Sequence, residues 1–379
     1  MSEGVRPMRG ALQERPVLRA VQRTGRSSLA VTLPKAWTAS FNIQNGSLVR
    51  LHDLGAGRLE VSPAGRSGTD DARPALHIDA TDCPSQLLSR LLVGAYITGQ
   101  DHVVITSRQD LGRDLRAEVG RTAQRVLGMS LIEDEANRLE VRVFLDPTKH
   151  RLSGLLDRVV RMIRLELELC QRAVETADRA PLEKVPAVEE EIDRFYLLMA
   201  RQILLASNDF QVAREIGVPS HHFQLGYRVV VKMLEVTADL VADVAVAIGE
   251  DLARSQDPAA LVRELKEFDA VLVQTMDAFR DVSAPRAHEA LLEIEAWTAR
   301  PSLRYGGLVG RSRDKAGAAR AQRILSSLAT AREMLAIVNE TTINRAVEPE
   351  TISETGGHPV IARILPERHA TPRARAALA

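Results

Sequence analysis

Residues 188–195, VEEEIDRF, and 233–245, MLEVTADLVADVA, are the segments on which the fold turns. Each mixes apolar and acidic side chains at helical spacing, with Ile192 and Phe195 in the first and Leu234, Val236 and Leu240 in the second. Glu189 and Asp193 stand four residues apart, as do Glu235 and Asp239, so each pair lies on one face of its helix. Two such helices side by side would hold out four carboxylates, a donor set suited to a hard cation. Buried carboxylates with neither cation nor water are costly. The alternative is a solvated face, because the ExxxD spacing is common on helix surfaces.

Working outward, amphipathic segments broken by proline and glycine predict helices at 151–178, 184–207, 218–252, 257–282, 285–300 and 313–343. Two sets of three imply an internal repeat of about 100 residues packed as a bundle, over 150–252 and 257–343. Composition agrees: hydrophobic residues make up 45% of the 379, aromatic ones 3% and charged ones 26%, the profile of helices packed through aliphatic side chains. After Asn344 the periodicity stops, and residues 344–379 are expected to be a disordered tail.

Upstream, residues 75–146 read as a small α/β sandwich: strand 75–79, helix 84–99, strand 102–106, helix 110–127, then strands 130–133 and 138–144. A polar linker at 64–74 separates it from a third region, 15–63. There, strands at 17–22 and 29–33 flank the turn Arg23-Thr24-Gly25-Arg26-Ser27-Ser28. Pro34 then opens a short helix ending near Phe41. Strands 47–51 and 58–62 follow, joined around Gly55-Ala56-Gly57. So small a core is marginal alone, so a dimer is expected. The fold class is α+β, mostly α.

Net charge is zero but unevenly placed. Arg6, Arg9, Arg15, Arg19, Arg23, Arg26, Lys35 and Arg50 face only Glu3 and Glu14 in the first fifty residues. The acidic excess is downstream, at Glu166, Glu168, Glu175, Glu183, Glu189, Glu190, Glu191 and Asp193. The longest apolar runs, such as Leu240 to Ile248, fall short of a membrane span, and the arginine-studded N-terminus is no secretory signal. Cys83 and Cys170 lie in no CxxC pattern, so a reducing cytoplasm is expected.

Enzyme motifs are missing. The helical half has no ExxH for a di-metal carboxylate enzyme, and the chain has no phosphate loop, GxSxG elbow or HExxH. Gly306-Gly307-Leu308-Val309-Gly310 has no preceding strand and reads as a helix connector, and His221-His222 reads as a helix start with surface or capping side chains.

Two resemblances bear on function. RAVQRTGRSSLAVTLPKAW (19–37) followed by FNIQNGSLVRL (41–51) resembles the swapped-hairpin DNA-binding domain of the AbrB, MazE and SpoVT group, through Gly25, Leu33-Pro34-Lys35, Trp37 and Gly46-Ser47-Leu48-Val49. That resemblance implies a homodimer with exchanged hairpins, in which Arg19, Arg23, Arg26 and Lys35 contact DNA. A hairpin serving dimerisation alone is the other reading.

The helical half resembles the PhoU family, a tandem three-helix repeat whose ExxxD motifs bind multinuclear metal. The matching positions are Glu189, Asp193, Glu235 and Asp239. Repeat two departs from the pattern, with Glu289 and Glu293 on its second helix but Ala329 and Glu333 on its third. The middle segment, with LLSRLLVGAYITGQDHVVI and AQRVLGMSLIEDE, resembles the linker domain of PhoU variants with AbrB-like heads.

Together these imply a non-enzymatic regulator of phosphate uptake or metabolism. It would bind DNA through the head and a divalent or trivalent ion (Fe, Zn, Mg or Mn) through the body, with phosphate transporter or sensor kinase components as further partners. The alternative is an adaptor contacting those components without DNA.

Overall fold

Gly25 adopts φ 75°, a left-handed conformation that glycine reaches without steric cost, and this lets the basic turn close tightly. The computed structural model describes residues 18–53, 57–63, 75–218, 220–250, 257–300 and 315–348. Residues 1–17, the Gly55-Ala56 part of the second hairpin, the 64–74 linker, the 306–310 glycine segment, the side chains of His221 and His222, and residues 349–379 lie outside that description. The chain divides into two compact units at Ala72/Arg73.

In the first unit, β1 (Gln22–Thr24) pairs antiparallel with β2 (Ser28–Ala30), from Gln22 opposite Ala30 to Thr24 opposite Ser28. These strands sit closer to the turn than the sequence predicts, because Gly25-Arg26-Ser27 alone makes the reversal and pairing starts on either side of it. Pro34 caps α1 (Lys35–Ser40), whose Trp37 and Phe41 rings lie 5.5 Å apart. A turn closed by Ser47 N–H to Gln44 O at 3.0 Å leads into β3 (Val49–Asp53), which pairs antiparallel with β4 (Leu59–Pro63). Among the described residues of this unit none is buried.

The second unit begins with a four-stranded sheet. Its strands are β5 (Leu76–Asp79), β6 (His102–Thr106), β7 (Met129–Glu135) and β8 (Arg138–Val143), in the order β5-β6-β8-β7. β5 and β6 run parallel, as the crossover helix α2 (Ser85–Ile97) between them requires, and the other pairings are antiparallel. With α3 (Arg113–Arg125), α2 covers a core that includes Leu88, Leu92, Val103, Ile105, Val119 and Leu139.

The bundle follows: α4 (Leu152–Thr176), α5 (Val185–Ala206), the short α6 (Phe210–Glu215), α7 (His221–Glu250), α8 (Pro258–Arg280), α9 (Ala284–Thr298) and α10 (Lys315–Ala346). Periodicity foresees the six long helices to within a few residues. It misses α6, an isolated turn and a half capped by the Asp209 carboxylate, and it stops α10 three residues early. α7 lies along α10 and α4 along α8, so the two three-helix sets meet through two helices each. Leu167, Ile192, Leu234, Leu272, Leu328 and Leu335 belong to one continuous core. Each such side chain is worth roughly 1.5–3 kcal/mol of burial.

A buried charged side chain helps fasten the α/β layer to the bundle. Arg201 of α5, 1% exposed, donates to the Tyr96 carbonyl and the Asp101 carboxylate and lies 4.9 Å from the Tyr96 ring centre.

Candidate functional site

Three of the four acidic residues singled out on the first three-helix set converge. Glu189 and Asp193 on α5 and Asp239 on α7 place carboxylate oxygens within 4.8 Å of one another. Among the described residues this is the one such acidic, histidine or cysteine group. Glu235, 9% exposed, stays close enough for its charge to act on Asp193 and Asp239, but its carboxylate is taken by Lys232 one turn back on α7.

A fifth carboxylate lies beneath them. Glu166 of α4 is fully buried, and neither of its oxygens has a hydrogen-bond partner. Burial pushes its carboxyl up to about 9, with the charges of Glu189 and Asp239 adding to the shift. Glu189 is raised to about 6 by desolvation, then by Asp193 and Asp239, against the pull of Arg125. Asp239 keeps one side open to solvent, yet it too is raised to about 6, by partial desolvation first and then by Glu235 and Asp193. Asp193 is raised by desolvation and Glu235, with Arg125 and Lys232 opposing. Acids whose ionisation is opposed first by desolvation and then by one another are acids whose charged forms a cation would favour.

Glu166 was legible in part. In IRLELELC (163–170) it falls three residues after Ile163 and four before Cys170, on the buried stripe of α4. The ExxxD spacing points to the other two helices instead.

The donor set fits an oxygen-seeking ion, since every available ligand atom is a carboxylate oxygen and the two buried atoms of Glu166 lack any other partner. Two clefts reach the cluster. One, of about 460 Å³, is lined by Leu182, Val185, Glu189, Asp239 and Val246. The other, of about 190 Å³, lies against the α/β layer and is lined by Thr122, Arg125, Asp193, Tyr196 and Glu235.

The second set offers no such site among its described residues. Glu289 and Glu293 on α9 and Glu333 on α10 are exposed and Ala329 brings no ligand, so the repeat-two pattern gathers no carboxylates. The buried charge there is Arg332, 1% exposed, stacked 3.8 Å from the Trp297 ring centre. Burial pulls its guanidinium down to about 10.

In the first unit Arg19, Arg23, Arg26 and Lys35 are all exposed, Arg23 on β1 and Arg26 in the turn beside it. So are large apolar side chains: Leu29 is 70% exposed and Leu48 79%, with Val21, Val31, Leu51 and Leu59 alike uncovered.

Residues 22–69 match the family described as antidote-toxin recognition MazE, bacterial antitoxin. No curated protein and no solved structure matches the chain. The head is therefore a MazE-like domain, and the rest of the chain stands on its own geometry.

Proposed function

We propose that this chain is a non-enzymatic, DNA-binding regulator of the PhoU type, acting in phosphate uptake or metabolism as a cytoplasmic homodimer with a cation site in its first three-helix set. One observation carries the DNA half: a MazE-like unit without a single buried residue among those described displays apolar strand faces and a cationic hairpin together. Apolar faces left open in one copy are what a second copy would cover, and dimerisation would bring two sets of Arg19, Arg23, Arg26 and Lys35 together. About six phosphate contacts across such a dimer give a log-log salt slope near −5.

The body supports the cation half through the convergence of Glu189, Asp193 and Asp239 above the unpartnered Glu166. Bound there, a Mg²⁺, Mn²⁺ or iron ion would supply positive charge to ionise these acids; the chain's residues hold it and orient the helices that carry them. With respect to phosphate, the reading rests on the tandem three-helix arrangement and its likeness to PhoU.

Retardation of duplex DNA measured from ~50 to ~200 mM salt tests the DNA half, with an expected loss of about a thousandfold in affinity over that range. Arg23→Gln should lower the slope by about 1 to 2, one contact per copy. Absence of retardation at the lowest salt would exclude DNA and favour an adaptor that contacts transporter or kinase components.

A further inference from the structure

The carboxylate cluster is not neutralised from within the bundle alone. Lys232 serves Glu235 on its own helix, but the second cation comes from the α/β layer. Arg125, in the last turn of α3, places Nη2 3.7 Å from Asp193 Oδ2, and its charge opposes the upward shifts of both Asp193 and Glu189. The neighbouring residue is also attached: the Gln124 carbonyl accepts from Arg194 of α5, which in turn pairs with Glu191 at 2.7 Å. The C-terminal end of α3 is thus held to α5 at two adjacent points, only one of which passes through the cluster.

We infer that Arg125 is the output contact of the cation site: a divalent cation on Glu189, Asp193 and Asp239 displaces Arg125 from Asp193 and loosens the end of α3 from the bundle. This rests on the cation reading of the cluster given above, for which the fully buried and unpartnered Glu166 beneath the three carboxylates is the independent sign. A cation and a guanidinium are like charges competing for one carboxylate, so occupancy by either weakens the other.

The geometry lets Arg125 leave. Its side chain is 66% exposed, and it borders the cleft of about 190 Å³ between the α/β layer and the bundle. Glu118, two turns back on α3, already feels its charge and remains as a counter-ion. Movement is confined to that end of the layer, because the α2 end is anchored by buried Arg201 on Tyr96 and Asp101. A cation signal in the bundle would therefore reach the layer that precedes it in the chain as a change at one helix end.

Titration of the full-length protein with Mn²⁺, followed by the paramagnetic signal of the free ion, combined with amide hydrogen exchange across residues 116–126, tests this. In wild type, Mn²⁺ should raise exchange in the last turn of α3 several-fold. Arg125→Gln should bind Mn²⁺ about two- to fivefold more tightly, the weight of a part-exposed ion pair, and its exchange should already be high and unresponsive to the ion. Arg121→Gln, which removes an equally exposed guanidinium paired with Glu118 at 2.7 Å, should change neither.

Mn²⁺ binding without any change in α3, and with unaltered affinity in Arg125→Gln, overturns the coupling while the cation site stands. Equal tightening in Arg121→Gln also overturns it, by reducing the effect to bulk charge. A wild type that takes up no Mn²⁺ removes both the coupling and the site.

Discussion

The two three-helix sets have the same order of long helices, yet the charged side chains enclosed among their own helices differ in sign, buried Arg201 of α5 being turned instead to Tyr96 and Asp101 of the α/β layer. The first encloses Glu166 under a group of crowded acids, while the second encloses Arg332 between aromatic rings, 3.8 Å from the Trp297 centre and 5.3 Å from that of Phe268. A buried carboxylate without a partner stays neutral or waits for a cation, and its pKa rises accordingly. A guanidinium stacked on indole is compensated in part, because the ring face supplies electron density that water would have supplied, although its Nε and Nη2 have no hydrogen-bond partner and burial pulls it down to about 10. One set therefore gathers acids that an added cation would offset, whereas the other covers its buried cation with rings. Repetition of a scaffold does not repeat its chemistry.

The largest effect that could break this contrast lies in the second set. Trp297→Ala removes the platform under Arg332 and the indole N–H that donates to Glu264 at 2.7 Å. It should cost about 3 kcal/mol of stability, read from the denaturant midpoint, with Mn²⁺ affinity per folded molecule unchanged. A parallel loss of ion binding would mean that the two sets are not independent.

Next comes Glu166→Gln. Folding raises the Glu166 carboxyl from its ordinary 4.5 to about 9, so the metal-free protein keeps the full benefit of the neutral acid below pH 4.5 and loses stability as pH rises toward 9. The amide cannot ionise. The variant's stability relative to the metal-free wild type should therefore rise by a few kcal/mol between pH 4 and pH 8, which thermal unfolding at the two pH values would show. A variant equally stable at both, relative to wild type, would place the proton elsewhere.

The third comparison is between matched carboxylates. Asp239→Asn should weaken Mn²⁺ binding about tenfold, near 1.4 kcal/mol, whereas Glu333→Gln on α10 should leave it within twofold. Calorimetric titration distinguishes the two, and equal losses would erase the asymmetry between the sets.

Local signals carried much of the architecture. Proline and glycine punctuation and a 3.6-residue apolar stripe located the long helices, because these signals depend on neighbours within one or two turns. The basic turn of the head was likewise visible, down to the glycine its backbone requires. The hairpin strands were displaced because pairing is set by how tightly the turn closes, which alternation alone does not report. Within the site, four acids were nameable from spacing, but their division was not: Lys232 withdraws Glu235, and the other three converge.

What the sequence determined by itself is the order of elements, the basic head, the acidic helices and the face of each helix on which a carboxylate stands. Only the tertiary structure decided which of those faces meet. Arg125 reaches Asp193 from another layer, Glu166 comes within reach of the charges of Glu189 on the next helix and Asp239 on α7, and Arg332, an arginine followed by a glutamate in a helix, finds its indole on α9. Helical periodicity is a short-range property of the backbone, whereas desolvation and charge depend on distances through space, which packing alone supplies.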